Sequence, residues 1–204
     1  MSSTAERITF TEKLADRLIS RERYAEDEET YLKVKYGVEV ILINVIKISL
    51  VYILALLIGV FWQTLITHLA FVVLRRYSFG LHAIKSLNCT ITSLLMFVLG
   101  PFLFQSIPST NWVVVIVFAL VLFNMFRYAP SDTESLPLIG LEERNILKKK
   151  AMVCTIVLFL ITLLVPSAEM KTLIMLGSVY QVISIHPLMY KLLNRRYRNY
   201  ESYE

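Results

Sequence analysis

Six apolar runs, separated by short polar or basic stretches, constrain this chain more than any other feature. They fall at 38–61, 63–79, 87–104, 112–128, 151–165 and 171–193. A helix crossing the hydrocarbon core of a bilayer needs about 20 residues, because its backbone polar groups must be paired internally there. Such runs, in a 204-residue chain that is 56% hydrophobic with mean hydropathy +0.59, specify an integral membrane protein. The expected fold is all-α: a polytopic membrane helical bundle of about six transmembrane or partly inserted helices, with an N-terminal amphipathic helix. The runs 63–79 and 151–165 are short, so they tilt, extend or sit shallow.

No linker divides the chain, so 1–204 is expected to be a single integral membrane domain. Within it, 1–36 forms a cytoplasmic or interfacial segment, 37–193 the membrane helices and 194–204 a basic cytoplasmic tail. Residues 1–36 are densely charged and lack the short apolar core of a cleavable signal peptide, so the first span serves as the insertion signal. Thr9-Phe10-Thr11-Glu12 has the spacing of a capping box. Phe10, Leu14 and Leu18 recur every four residues, with Ala15 and Ile19 beside them. That stripe predicts an amphipathic helix over 10–23, lying on the membrane surface or packed on the rest of the protein. The acidic run Glu26-Asp27-Glu28-Glu29 is expected to be a solvated connector.

The charges set orientation. The net charge is +5, and the basic residues flank apolar runs. They therefore point to anionic lipid or an acidic peptide, with no nucleic acid among the expected partners. Segment 105–111 has no charge, whereas Arg75, Arg76 and Lys85, then Arg144 and Lys148 to Lys150, then Lys191, Arg195, Arg196 and Arg198 form three basic segments. The positive-inside rule puts all three in the cytoplasm, and with six spans both termini fall there too. Cys89 and Cys154 allow at most one disulfide, and both lie in or beside apolar runs, so no disulfide framework is expected.

Chemistry concentrates in one short stretch, from Arg75 to Cys89. A thiolate is a strong nucleophile, and an imidazole beside it can take its proton and later protonate a leaving amine. Cys89 and His82 have these roles available, with Arg75, Arg76 and Lys85 as nearby cations. Seven residues on one straight helix return to the same face, but about 10.5 Å further along the axis. Side chains on a helix lean toward its N-terminus, so the two would not meet directly. A working pair needs the chain to turn between them, with Cys89 near the start of the next helix and Gly80, Ser86 and Asn88 as turn or cap residues. The plainer alternative is a packing cysteine and a solvated interfacial histidine. A non-catalytic membrane peptide exporter or chaperone subunit would fit that alternative. Elsewhere, Glu39 and Lys47 are intramembrane charges, His68 and His186 read as packed polar residues, and Cys154 as a small core residue. No His-Glu-x-x-His zinc motif or glycine-rich phosphate loop occurs, so neither a metal nor a cofactor is expected.

The stretch Arg75-Arg76-Tyr77-Ser78-Phe79-Gly80-Leu81-His82-Ala83, with Cys89 seven after His82, resembles the AgrB family, the membrane peptidases of peptide quorum sensing in Gram-positive bacteria. Ala129-Pro130-Ser131-Asp132-Thr133 resembles the family's Ala-Pro-x-Asp-Thr segment. The resemblance extends over most of the chain. It implies a bacterial cell-membrane cysteine endopeptidase, with the active site on the cytoplasmic side, that cleaves the C-terminal tail from an AgrD-type precursor and promotes cyclisation to a thiolactone. By resemblance Cys89 is the nucleophile, His82 its acid/base partner, and Arg75 and Gly80 supporting positions. A homodimer is implied in the same way. An acidic substrate tail could pair with Arg144, Lys148, Lys149 or Lys150, although these cations could equally serve topology alone. Many members carry two adjacent glycines where this chain has Phe79-Gly80, and one glycine is expected to suffice for the turn.

Overall fold

The computed structural model describes residues 10–19, 27–81, 86–134 and 136–204. It is helical throughout, with no strand among the described residues. The chain divides into two units, at Ile53 and Leu54.

The first unit holds α1 (Phe10–Leu18) and most of α2 (Glu28–Ile58). On α1, Ala15 is buried, as is Ile19 just beyond its end, while Asp16, Arg17 and Leu18 are exposed. Asp16 pairs with Lys35 at 2.6 Å and accepts from the Tyr31 hydroxyl at 3.4 Å, which ties α1 to the start of α2. The Thr9–Glu12 capping box lies outside the described residues. Glu26 lies outside the described residues, and the rest of the acidic run is helix, not connector: Asp27 caps α2, accepting from Thr30 N at 2.9 Å, and Glu28 and Glu29 open the helix. Carboxylates belong there, where unpaired N–H groups and the helix dipole favour negative charge.

In the second unit α2 ends at Gly59, whose φ of 80° suits glycine, and α3 (Phe61–Ser78) begins. Then come α4 (Ser86–Leu94), a π-helical turn at Leu95–Leu99 and α5 (Gly100–Phe104), followed by α6 (Asn111–Tyr128), α7 (Leu141–Leu164), α8 (Ala168–Ile185) and α9 (Pro187–Leu192). Three stretches are long and apolar enough to cross a bilayer: 28–58, 87–104 and 111–128. Large side chains such as Trp112, Ile116, Leu120 and Phe123 on α6 stay exposed, a surface suited to lipid. The other apolar runs fall on α3, α7 and α8–α9. Two of them differ from the sequence reading. Helix α7 starts ten residues before the run at 151, because its first turns are charged and an apolar run marks only the hydrophobic part of a helix. The run 171–193 breaks at His186, which is extended because Pro187 follows it; His186 Nδ1 then caps α9 by accepting from Leu188 N at 3.2 Å.

The core lies between α3, α6, α7 and α8. Leu74, Val114, Phe118, Met125, Ala151, Ile174 and Ile185 are buried in one cluster, with Cys154 packed at its edge. Helices α3 and α8 make the closest approach. A Cβ on Gly177 would fall against the Thr67 carbonyl oxygen and lie 2.9 Å from Ala70 Cβ. Small residues at this crossing let the backbones touch, which is how helices associate where water supplies no hydrophobic drive. Gly177→Leu should therefore force α3 and α8 apart and cost roughly 1–3 kcal/mol or more. The measurement is the thermal midpoint of detergent-solubilised protein, and an unchanged midpoint would contradict this packing.

Candidate active site

Helix α3 stops at Ser78 for a backbone reason. Phe79 has φ 54° and ψ −133°, and Gly80 has φ 114°, so neither continues a helix. Positive φ is thus needed at both positions. Phe79 bears a strain of about 1–3 kcal/mol that glycine would not. At Gly80 no other residue fits: a Cβ would lie 2.7 Å from Ser184 Oγ and 2.9 Å from Ser184 O.

The three residues after α3 leave the helical ladder, yet their polar groups are paired. Gly80 N donates to Ser131 O at 2.8 Å, Leu81 N to Ser184 O at 2.9 Å, and Ser131 N to Ser78 O at 2.9 Å. Arg75, in the last turn of α3, donates to Leu81 O at 2.8 Å, Gly80 O at 3.2 Å and Ser184 Oγ at 3.3 Å. The fully buried Gln181 of α8 donates to Phe79 O at 2.6 Å and Ser78 Oγ at 2.7 Å. The planar guanidinium suits this work, since its fork can grip successive carbonyls that a lysine could meet only singly.

Cys89 lies in the first turn of α4, half-buried, with a free thiol. Cys89 stands near the start of its own helix, as expected, while the turn expected between His82 and Cys89 falls on residues 82–85, outside the described residues. His82 lies outside the described residues, as does Lys85. Asn88 is exposed on α4.

Asp132 has a different role from that of a catalytic carboxylate. It is buried, and its two oxygens accept from Asn199 N at 2.9 Å and Tyr200 N at 2.8 Å. Tyr190 OH donates to Asp132 O at 2.7 Å and accepts from Ser131 Oγ at 3.0 Å. The segment 194–204 is thereby folded onto 129–140. Glu134 adds an ion pair to Arg195 and accepts from Arg196 N, and Glu204 pairs with Arg144.

The four cations of the expected substrate patch point in different directions. Three consecutive helical residues fan out at about 100° each. Lys148 lies over the Phe126 ring at 4.5 Å and Lys150 faces Tyr77 at 5.8 Å, while Lys149 is exposed. Arg144 and Lys148, one turn apart, are the pair that shares a cavity of 220 Å³ beside Ala129–Asp132.

A family model described as accessory gene regulator B matches residues 11–185. The chain belongs to the accessory gene regulator B (AgrB) family. It is 62% identical over 204 residues, the whole of both chains, to a protein named AgrB-like from Listeria monocytogenes serotype 4a. It is 44% identical over 173 residues to an AgrB-like protein of Clostridium acetobutylicum, covering 85% of this chain and 83% of that one. To accessory gene regulator protein B of Staphylococcus intermedius it is 32% identical over 177 residues, covering 87% and 92%. No solved structure matches. AgrB membership fits a role in the agr quorum-sensing system, and the three apolar helices make the chain a membrane protein.

Gln181, Ser184, Ser131 and Tyr190 hold this region together, and none is singled out by sequence motif. The available signal is an amide inside an apolar helix, weaker than the charge of Glu39 or Lys47. Gln181→Met keeps the volume but leaves Ser78 Oγ and Phe79 O without this donor. It should cost about 1–3 kcal/mol, read as a lowered melting temperature.

Acid should release the C-terminal segment. Hydrogen bonds from Arg196 N and the Arg195 side chain hold the Glu134 carboxyl below its usual range, and those from Arg144 and Gly140 N do the same for Glu204. A lowered folded-state value means the contribution is present above the ordinary carboxylate range and is lost as pH falls through the lowered one. A spin label at Ser202→Cys, with Cys89 and Cys154 replaced, should stay immobile from pH 8 to 5 and gain mobility below about pH 4.

Proposed function

We infer that this AgrB-family chain is a membrane cysteine endopeptidase and peptide cyclase. It acts on an AgrD-type precursor at the cytoplasmic face, with Cys89 as nucleophile and His82 as acid/base. The observation that carries this reading is the clamp on residues 79–81. Arg75, Gln181, Ser131 and Ser184 hold the backbone that leads directly into His82. A bystander thiol has no use for so much ordering of a non-helical turn.

The steps follow from the groups available. The Cys89 thiolate attacks the scissile carbonyl, the C–N bond breaks, and His82 gives the departing amine its proton. A thioester to Cys89 results. A cysteine thiolate within the precursor then attacks that thioester, Cys89 leaves as thiolate, and the ring closes as a thiolactone. The second step exchanges one thioester for another and is nearly balanced. The first turns an amide into a thioester and runs uphill, so water must be kept out and the released tail must depart. A precursor bound to the same bilayer raises the effective concentration of its own thiol.

Co-expression with an epitope-tagged precursor tests this. Cys89→Ala should abolish release of the tail fragment, a loss of at least about a thousandfold for a nucleophile. Cys89→Ser should accumulate an ester adduct with the precursor, visible by mass spectrometry. Continued cleavage in Cys89→Ala would remove the reading.

A further inference from the structure

The cavity beside Ala129–Asp132 has an unusual charge balance. Arg127, Arg144, Lys148 and Arg198 line it, and the one carboxylate there, Asp132, is engaged by Asn199 N and Tyr200 N. Among the described residues Arg127 and Lys148 have no carboxylate partner; they rest near the rings of Tyr128 and Phe126. Arg198 pairs with Glu201 at 3.4 Å, and Arg144 is held more closely. Its guanidinium meets both oxygens of Glu204, at 2.6 and 2.9 Å, while also donating to Leu138 O at 2.9 Å. Gly140 N donates to Glu204 Oε1 at 2.8 Å, and the Tyr200 ring stacks 3.9 Å from the guanidinium carbon.

This arrangement is a carboxylate receptor with its occupant tethered. The bidentate fork supplies geometry, the backbone N–H a third donor, and the aromatic ring covers the flat face of the cation. Glu204 itself is 35% exposed in its side chain, whereas Arg144 is only 13% exposed, so the occupant can leave while the receptor stays formed. The cavity also abuts the candidate active site: Ser131, in its wall, accepts from Gly80 N, two residues before His82.

We propose that Arg144, with the cationic cavity behind it, is the binding site for the acidic C-terminal segment of the peptide substrate, and that Glu204 is a tethered competitor for that site. The proposal rests on the peptidase reading for the identity of its ligand. Substrate carboxylates displace Glu204, and Arg127 and Lys148 receive the further negative charges that a single glutamate leaves unmatched. A competitor docked most of the time lowers apparent affinity by the fraction of sites it leaves open.

The test uses full-length protein in detergent, made cleavage-inactive by Cys89→Ala. The probe is a fluorescein-labelled hexapeptide of alternating glutamate and glycine, followed by anisotropy. Glu204→Gln should tighten binding about three- to tenfold, the range expected when a partly exposed charged competitor is removed. Adding Arg144→Gln should erase that gain. The double exchange Arg144→Glu with Glu204→Arg should keep the segment docked, seen as an immobile spin label at Ser202→Cys, yet reject the acidic peptide and take its lysine–glycine counterpart. Unchanged affinity in Glu204→Gln overturns the proposal, and so does a gain that survives Arg144→Gln. A gain seen with phosphatidylglycerol vesicles and not with the peptide assigns the site to lipid and overturns it as well. Because binding is read without turnover, these failures are separate from a failure of Cys89→Ala to stop cleavage.

Discussion

Backbone that leaves a helix inside a helical membrane bundle must find every partner within the protein, and residues 79–81 meet that demand through three other segments. Ser131 comes from the 129–140 connection, Ser184 and Gln181 from α8, and Arg75 from the preceding turn of α3. An unpaired buried peptide group costs a few kcal/mol, so the turn, α8 and the 129–134 stretch stand or fall together. This explains why a polar amide and several hydroxyls are buried where the surrounding helices are otherwise apolar. It also explains why α8 presses so closely on α3 at Gly177: only near contact brings Gln181 and Ser184 within hydrogen-bonding reach of the turn.

The same scaffold connects two places that could otherwise be unrelated. The connection after α6 pairs with the turn on one side through Ser131 and receives the C-terminal segment on the other through Asp132. One short polar stretch thus links the residues before His82 with the cationic cavity around Arg144. In a peptide-processing membrane protein such an arrangement lets recognition of a charged tail and chemistry at a thiol share one rigid support. Rigid support matters because reacting groups gain most from being held in place before substrate arrives.

The Arg-Arg to Cys89 stretch was legible as a site because its residue types are rare beside apolar runs and their spacing forbids a single straight helix. Cys89 does fall in the first turn of its own helix, α4. The need for positive φ at Phe79 as well as Gly80 was not legible, since a phenylalanine advertises no such conformation. Nor was the role of Asp132, whose partners Asn199 and Tyr200 lie more than sixty residues away. The lysine cluster looked like one patch in sequence and is a fan in space, because a helix turns consecutive side chains in different directions.

Sequence by itself determined the class of the molecule and its apolar helices. These follow from local quantities: hydropathy over a window, the period of a helix and the chemistry of single side chains. Tertiary structure alone decided which polar groups serve the turn, which cations share a cavity and that Glu204 sits in the grip of Arg144. Such partnerships join residues sixty to more than a hundred positions apart, as between Gln181 and Ser78. No local pattern encodes them, because each depends on where the helix packing brings two distant backbones together.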